Sequence, residues 1–166
     1  MDFAQRKPNR LPGYDYGQKG VYFVTICTQN RLQTLSKIVV GDGSPIPQLT
    51  DFGNIVMRYI NLLTEKYPSM DVDKSVIMPN HIHMLIKNMA KSGTGNPSPT
   101  LGTVVGWFKY QTTKQINAML GTAGNRIWQR SFYDHVIRDE ADYQKIWQYI
   151  DTNGCKWKED CFYLSQ

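Results

Sequence analysis

VIMPNHIHMLI, residues 76–86, is an apolar stretch broken by Pro79-Asn80, and it carries two of the chain's three histidines one residue apart. Apolar runs on either side of a Pro-Asn turn signal read as a hairpin, with DVDKSVIM (71–78) as one strand and HIHMLIKN (81–88) as the next. Side chains alternate along a strand, so His81, His83 and Leu85 share one face, while Ile82, Met84 and Ile86 share the other. Same-side neighbours lie about 6.5–7 Å apart at the backbone, close enough for both imidazoles to converge on one ion. A single histidine on an apolar face is most often a core residue bonded to backbone. His-x-His on a buried strand beside a tight turn points instead to metal.

Outward from this hairpin the pattern continues in both directions. VYFVTICT (21–28) is rich in β-branched and aromatic residues and predicts a buried strand. A Gly/Pro-rich stretch, GDGSPIPQLTD (41–51), reads as turns. Asp51 then stands where a helix over 52–66 needs a cap, with Phe52, Ile55, Val56, Tyr59, Leu62, Leu63 and Lys66 as its stripe and Pro68 beyond its end. Past the hairpin, KSGTGNPSP (91–99) has loop composition. LGTVVGWFKYQTTKQINAML (101–120) then predicts a long helix with Val104, Val105, Phe108, Thr112, Gln115, Ile116 and Met119 inward. RIWQRSFYDHVIR (126–138) predicts a fourth strand, and EADYQKIWQYIDTN (140–153) a third helix, ahead of a Trp-rich tail.

The order β-α-β-β-α-β-α defines an α+β fold. Its first six elements (βαββαβ) form a ferredoxin-like, four-stranded antiparallel sheet with two helices on one face. The third helix is left to cover the other face, toward which the histidines point. Tyr143, Ile146, Trp147 and Ile150 give that helix an apolar stripe, and Tyr149 and Asn153 lie four apart on a neighbouring flank.

The 166 residues suit one domain, 1–166, with a basic arm (1–20) and a tail (154–166). A net charge of +5 and a pI near 9.1 fit an acidic partner, nucleic acid first. No apolar run approaches the roughly 18 residues of a membrane span, and MDFAQRKPNR lacks the apolar core of a signal peptide. Cys27, Cys155 and Cys161 form neither a disulfide framework nor a zinc spacing, so reduced thiols and a cytoplasmic location are expected.

The chain resembles the single-tyrosine HUH transposases, in particular the REP-associated tyrosine transposases. The resemblance rests on VIMPNHIHMLI, LGTVVGWFKYQTTKQIN (101–117), IWQRSFYDHVIRDE (127–140) and YIDTN (149–153), with RKPNRLPGYDY and VYFVTICTQNR in support. It spans nearly the whole chain in the same order. It implies that His81 and His83 hold a divalent metal, Mg²⁺ or Mn²⁺, that Asn153 is the third ligand, and that Tyr149 is the nucleophile. The last helix is then the catalytic one. The implied reaction cuts and rejoins single-stranded DNA bearing hairpins or palindromic repeats through a 5′-phosphotyrosine link, by a monomer or homodimer. Relatives read Tyr-Ile-x-x-Asn-Pro, whereas Gly154 follows Asn153 here. Two other readings use the same residues: a hairpin-binding relative that does not cut, and a metal-dependent hydrolase.

Among the remaining residues, Tyr110 is a rival nucleophile, but its helix belongs on the face away from the histidines. Arg6, Lys7, Arg10, Lys109, Lys114, Arg130 and Arg138 are candidate DNA contacts, and His135 on the fourth strand is a candidate neighbour of the site.

Overall fold

The computed structural model describes residues 10–90 and 97–163. Arg6, Lys7 and most of the 91–99 loop lie outside the described residues. The strands are β1 (Gly20–Cys27), β2 (Ser36–Val40), β3 (Pro45–Leu49), β4 (Met70–Ile77), β5 (His81–Asn88) and β6 (Tyr133–Ile137). The helices are α1 (Asp51–Lys66), α2 (Leu101–Leu120) and α3 (Glu140–Thr152), and a 3-10 helix, Gly154–Glu159, follows α3. The main sheet runs β4-β5-β1-β6 with every pairing antiparallel, the ferredoxin-like order expected for βαββαβ.

One face of the sheet is a helix-packed core. Tyr22, Val24 and Ile26 of β1 and Ile82, Met84 and Ile86 of β5 pack on Val56, Ile60 and Leu63 of α1 and on Leu101, Val104, Val105 and Phe108 of α2. Each such side chain, fully buried, contributes roughly 1.5–3 kcal/mol. The strand alternation that sends these residues inward sends His81 and His83 to the other face, where α3 lies against β4 and β5.

Three expectations need correction. The cap of α1 is Thr50, whose hydroxyl accepts from the Gly53 N–H at 3.2 Å; Asp51 is the first helical residue, where its charge suits the helix dipole. The turn-rich 41–51 stretch contains β3, which pairs with β2 from Ser36↔Leu49 to Val40↔Pro45 as a separate hairpin. Its two prolines hid it, because proline within a run argues against a strand unless that strand is an edge, and both strands of an isolated hairpin are edges.

The fourth strand is shorter than 126–138. It occupies only Tyr133–Ile137, because Trp128 turns into the core and donates its indole N–H to Thr112 Oγ1 of α2 at 2.9 Å. The described part of the arm, from Arg10 on, packs on the fold. Tyr14 and Tyr16 pack edge-on and tilted against Tyr22, and Arg10 lies over the Phe132 ring at 4.8 Å.

Candidate active site

The β1–β5 register sets Thr25 opposite His83 and Cys27 opposite His81, so the site is laid out by backbone pairing before any side chain is placed. Both imidazoles are buried, and their Nε2 atoms face each other at 3.1 Å. The outer nitrogens are held from behind. Asn80 donates its amide N–H to Phe162 O at 2.8 Å, which leaves its Oδ1 to accept from His81 Nδ1–H at 2.9 Å. The His81 proton is therefore on Nδ1 and a lone pair is on Nε2. His83 Nδ1 meets the Thr25 hydroxyl at 2.8 Å. A hydroxyl serves as donor or acceptor, so His83 is free to give its Nε2 proton to His81 or, with that proton moved to Nδ1, to offer a second lone pair.

Burial holds both rings neutral. The His81 pKa is lowered to about 4 by desolvation, against the opposing pull of Asp160, and that of His83 lies well below its usual value through desolvation and then through His81. Two neutral imidazoles whose Nε2 atoms lie 3.1 Å apart suit adjacent positions around an ion with bonds of about 2.1 Å.

Tyr149, on α3, brings its hydroxyl to 3.5 Å from His83 Nε2. Its ring stands edge-on to Phe23 at 5.9 Å and lies 5.3 Å from the His83 ring. Its pKa is raised, first by burial and then by the Asp160 charge, while a hydrogen bond with Asn153 opposes the rise. Asn153 caps α3 and is 2% exposed, yet its Oδ1 has no partner among the described residues. Leaving such an oxygen unpaired costs about 1–3 kcal/mol, which a bound cation would offset. The donor set therefore fits a divalent metal.

One residue was missed. Asp160, just beyond the 3-10 helix, sets its carboxylate 3.8 Å from His81 Nε2, and one ligand atom from each of His81, His83 and Asp160 falls within a 4.8 Å span. A tail without periodicity gave no signal for it. Phe162 closes the same side, its ring 4.6 Å from that of His81.

The other candidates are scattered. His135 shares the histidine face, paired with Phe23 on β1, but bonds Asp142 of α3 at 2.8 Å, near the start of that helix. Lys109 gives its ammonium to the carbonyls of Gln129, Arg130 and Ser131 at 2.9, 3.3 and 2.9 Å, so its donors clamp the chain before β6. Lys114 and Tyr110 are exposed on α2, behind the sheet, and Tyr110 lines a small cleft with Arg126 and Arg130. Arg10 is stacked on Phe132, and Arg138 is exposed just before α3.

A histidine pair on a central strand, faced by a tyrosine on α3, is the arrangement that the resemblance to the single-tyrosine HUH transposases implies. The family described as "Transposase IS200 like" matches residues 54–153, a span that holds His81, His83, Tyr149 and Asn153. Two Haemophilus influenzae proteins are similar along most of their length. One, an uncharacterized protein, is 32% identical over 177 aligned residues, 96% of this chain and 93% of the relative. The other, provisionally named a REP-associated tyrosine transposase, is 28% identical over 150 residues, 86% of this chain and 74% of its own length.

Two solved structures share the fold. A REP-associated tyrosine transposase bound to a REP hairpin has a TM-score of 0.54 at 21% identity, covering 96% of this chain and 74% of that one. A provisionally named transposase from Deinococcus radiodurans R1 has a TM-score of 0.50 at 18% identity, covering 86% and 95%. The chain belongs to the IS200-like transposase family.

Proposed function

We propose that this protein is a metal-dependent DNA strand transferase that cuts and rejoins single-stranded, hairpin-bearing DNA, with Tyr149 as nucleophile. The observation that carries the reading is the line of three groups: the Tyr149 hydroxyl is 3.5 Å from His83 Nε2, which is 3.1 Å from His81 Nε2. His81, His83 and Asn153 are the proposed ligands, and Asp160 is available as a fourth. Imidazole alone favours later transition metals, but added amide and carboxylate oxygens suit a harder ion, so Mn²⁺ or Mg²⁺ fits the set. When bound, the ion would polarise a phosphoryl oxygen and stabilise the charge that develops on it.

The chain's own residues do the rest. Asn80 and Thr25 fix the imidazoles from behind, and Phe23 holds the Tyr149 ring on edge. The Tyr149 oxygen attacks phosphorus and loses its proton to solvent. The bond from phosphorus to the 3′-oxygen breaks, and that oxygen leaves as a 3′-hydroxyl after taking up a proton. The product is a 5′-phosphotyrosine, and attack on it by another 3′-hydroxyl rejoins the strand without a nucleotide cofactor. Tyr149 meets the histidines of its own chain, which supports a site complete within one protomer. That a fold relative is bound to a REP hairpin supports a hairpin substrate.

The test is covalent capture. 3′-labelled hairpins from the repeats flanking the gene, incubated with Mn²⁺ or Mg²⁺, are expected to carry their label to the protein's mass on a denaturing gel. Tyr149→Phe and His81→Ala should abolish the shift, and Tyr110→Phe should keep it. Free cut ends without a linked label would make the protein a hydrolase. Binding without either product would make it a DNA-binding relative only.

A further inference from the structure

Trp157, whose ring neighbours that of His81, also lines a cleft of about 930 Å³. The β2–β3 hairpin forms one wall and the 3-10 helix Gly154–Glu159 with Tyr163 the other; Lys37, Pro79, Trp157, Lys158, Glu159 and Tyr163 are among its lining. The cleft adjoins the site, with Trp157 shared between them. The Trp157 ring is 6.0 Å from that of His81, and Pro79 stands two residues before His81. Its volume is at the upper end of the roughly 300–1,000 Å³ of small-molecule pockets.

Its chemistry is that of a strand channel. Lys37 and Lys158 are exposed and neither has a carboxylate partner among the described residues. Tyr163 is half-buried, set edge-on to Trp157 at 5.3 Å, so the cleft that holds the two cations also has an aromatic surface. Ammonium groups for phosphates beside an aromatic platform for bases are the elements of sequence-tolerant single-strand binding. Glu159 leaves the lining net positive.

We propose that this cleft binds the single-stranded DNA flank that continues from the scissile phosphate, with Lys37 and Lys158 on its phosphates and Tyr163 under a base. The proposal rests on the strand-transferase reading and names where that substrate's unpaired arm lies. It assigns the β2–β3 hairpin, an addition to the ferredoxin-like core, a role as the channel wall.

The test uses the full chain in EDTA, where no cutting occurs, and compares by fluorescence anisotropy a bare hairpin with the same hairpin carrying a short 5′ or 3′ flank. A flank on one side is expected to tighten binding at least about tenfold, in the range of one base stacked on an aromatic ring. Tyr163→Ala, and separately the double variant Lys37→Ala with Lys158→Ala, should each remove most of that gain while bare-hairpin affinity stays. The double variant should also lower the salt dependence of flank binding by about 1.4 in the log–log slope, about 0.7 for each phosphate left without its lysine. No gain from either flank in the wild type, or a gain that survives both variants, overturns the proposal. Covalent capture by the wild-type protein is read separately, so loss of the channel and loss of the strand-transferase reading give different results.

Discussion

Asn80 decides which nitrogen of His81 is free to act. Its amide N–H is taken by the Phe162 carbonyl, so its oxygen must accept from His81 Nδ1–H and the lone pair is left on Nε2, facing His83. Outer partners of this kind orient a ligating ring, and their loss typically weakens metal affinity about 10–100-fold. Asn80→Ala is therefore expected to weaken Mn²⁺ binding by about that range in a titration followed by the electron paramagnetic resonance of free Mn²⁺. Asn153→Ala should weaken it as well, since Asn153 Oδ1 is buried and unpaired among the described residues. If Asn153→Ala binds Mn²⁺ like the wild type while Asp160→Asn does not, the carboxylate rather than the amide completes the set. Tyr149→Phe removes only a hydroxyl on a half-exposed ring, and should leave the melting temperature nearly unchanged.

At the scale of elements, the question is what holds α3 over the histidines. Tyr143 donates its hydroxyl to Asp73 of β4, Lys87 of β5 pairs with the same carboxylate at 2.8 Å, and Lys74 reaches Asp151 at 2.6 Å while lying 4.3 Å from the Trp147 ring. Burial pushes the Asp73 carboxyl up, but the Lys87 and Tyr143 hydrogen bonds outweigh it and leave the pKa below its usual 3.8. A carboxyl lowered in the folded state stabilises above its unfolded pKa and loses that stabilisation as pH falls through the folded one. The docking of α3 should thus weaken as pH drops below about 4. Tyr143→Phe should cost about 0.5–1.5 kcal/mol at neutral pH by denaturant unfolding, with a smaller difference in acid.

Gly154 has an equally local reason. A Cβ there would stand 3.0 Å from Pro47 Cδ and 3.1 Å from Pro45 O, so the residue is glycine because the β2–β3 hairpin packs on it, not because the helix needs a flexible end. Gly154→Pro, which introduces the residue that the family resemblance leads one to expect there, is expected to destabilise by roughly 1–3 kcal/mol in thermal or denaturant unfolding. An unchanged stability would show that the hairpin yields easily. This packing also marks the boundary of what the sequence could tell. Strand and helix periodicity placed β1, β4, β5 and all three helices within a residue or two, and alternation alone put both histidines on the α3 face. The hairpin and Asp160 escaped because they sit in stretches rich in proline, or without any period, where position comes from tertiary contact.

At the scale of the whole molecule, the site is assembled from distant parts of the chain: β1 at residues 20–27, β5 at 81–88, α3 at 140–152, and the tail. The ferredoxin-like sheet supplies the rigid floor, its core face sealed by α1 and α2, and the opposite face is left for chemistry. The net charge of +5 suits a polyanionic substrate. Of the cations singled out in the sequence, Lys109 and Arg10 are engaged within the fold; Lys37 and Lys158, which were not among them, stand open at the cleft. The family relation explains why the core elements come in this order, and the physical chemistry of the histidine face explains why Tyr149, not the exposed Tyr110 behind the sheet, is the residue to follow.

The most direct measurement is peptide mass spectrometry of protein captured on a hairpin strand in Mn²⁺ after nuclease trimming. The expected result is a nucleotide-phosphate adduct on the peptide that contains Tyr149, absent when His83 is replaced by alanine. An adduct on the Tyr110 peptide, or cleaved DNA with no adduct on any tyrosine, would contradict the proposed mechanism.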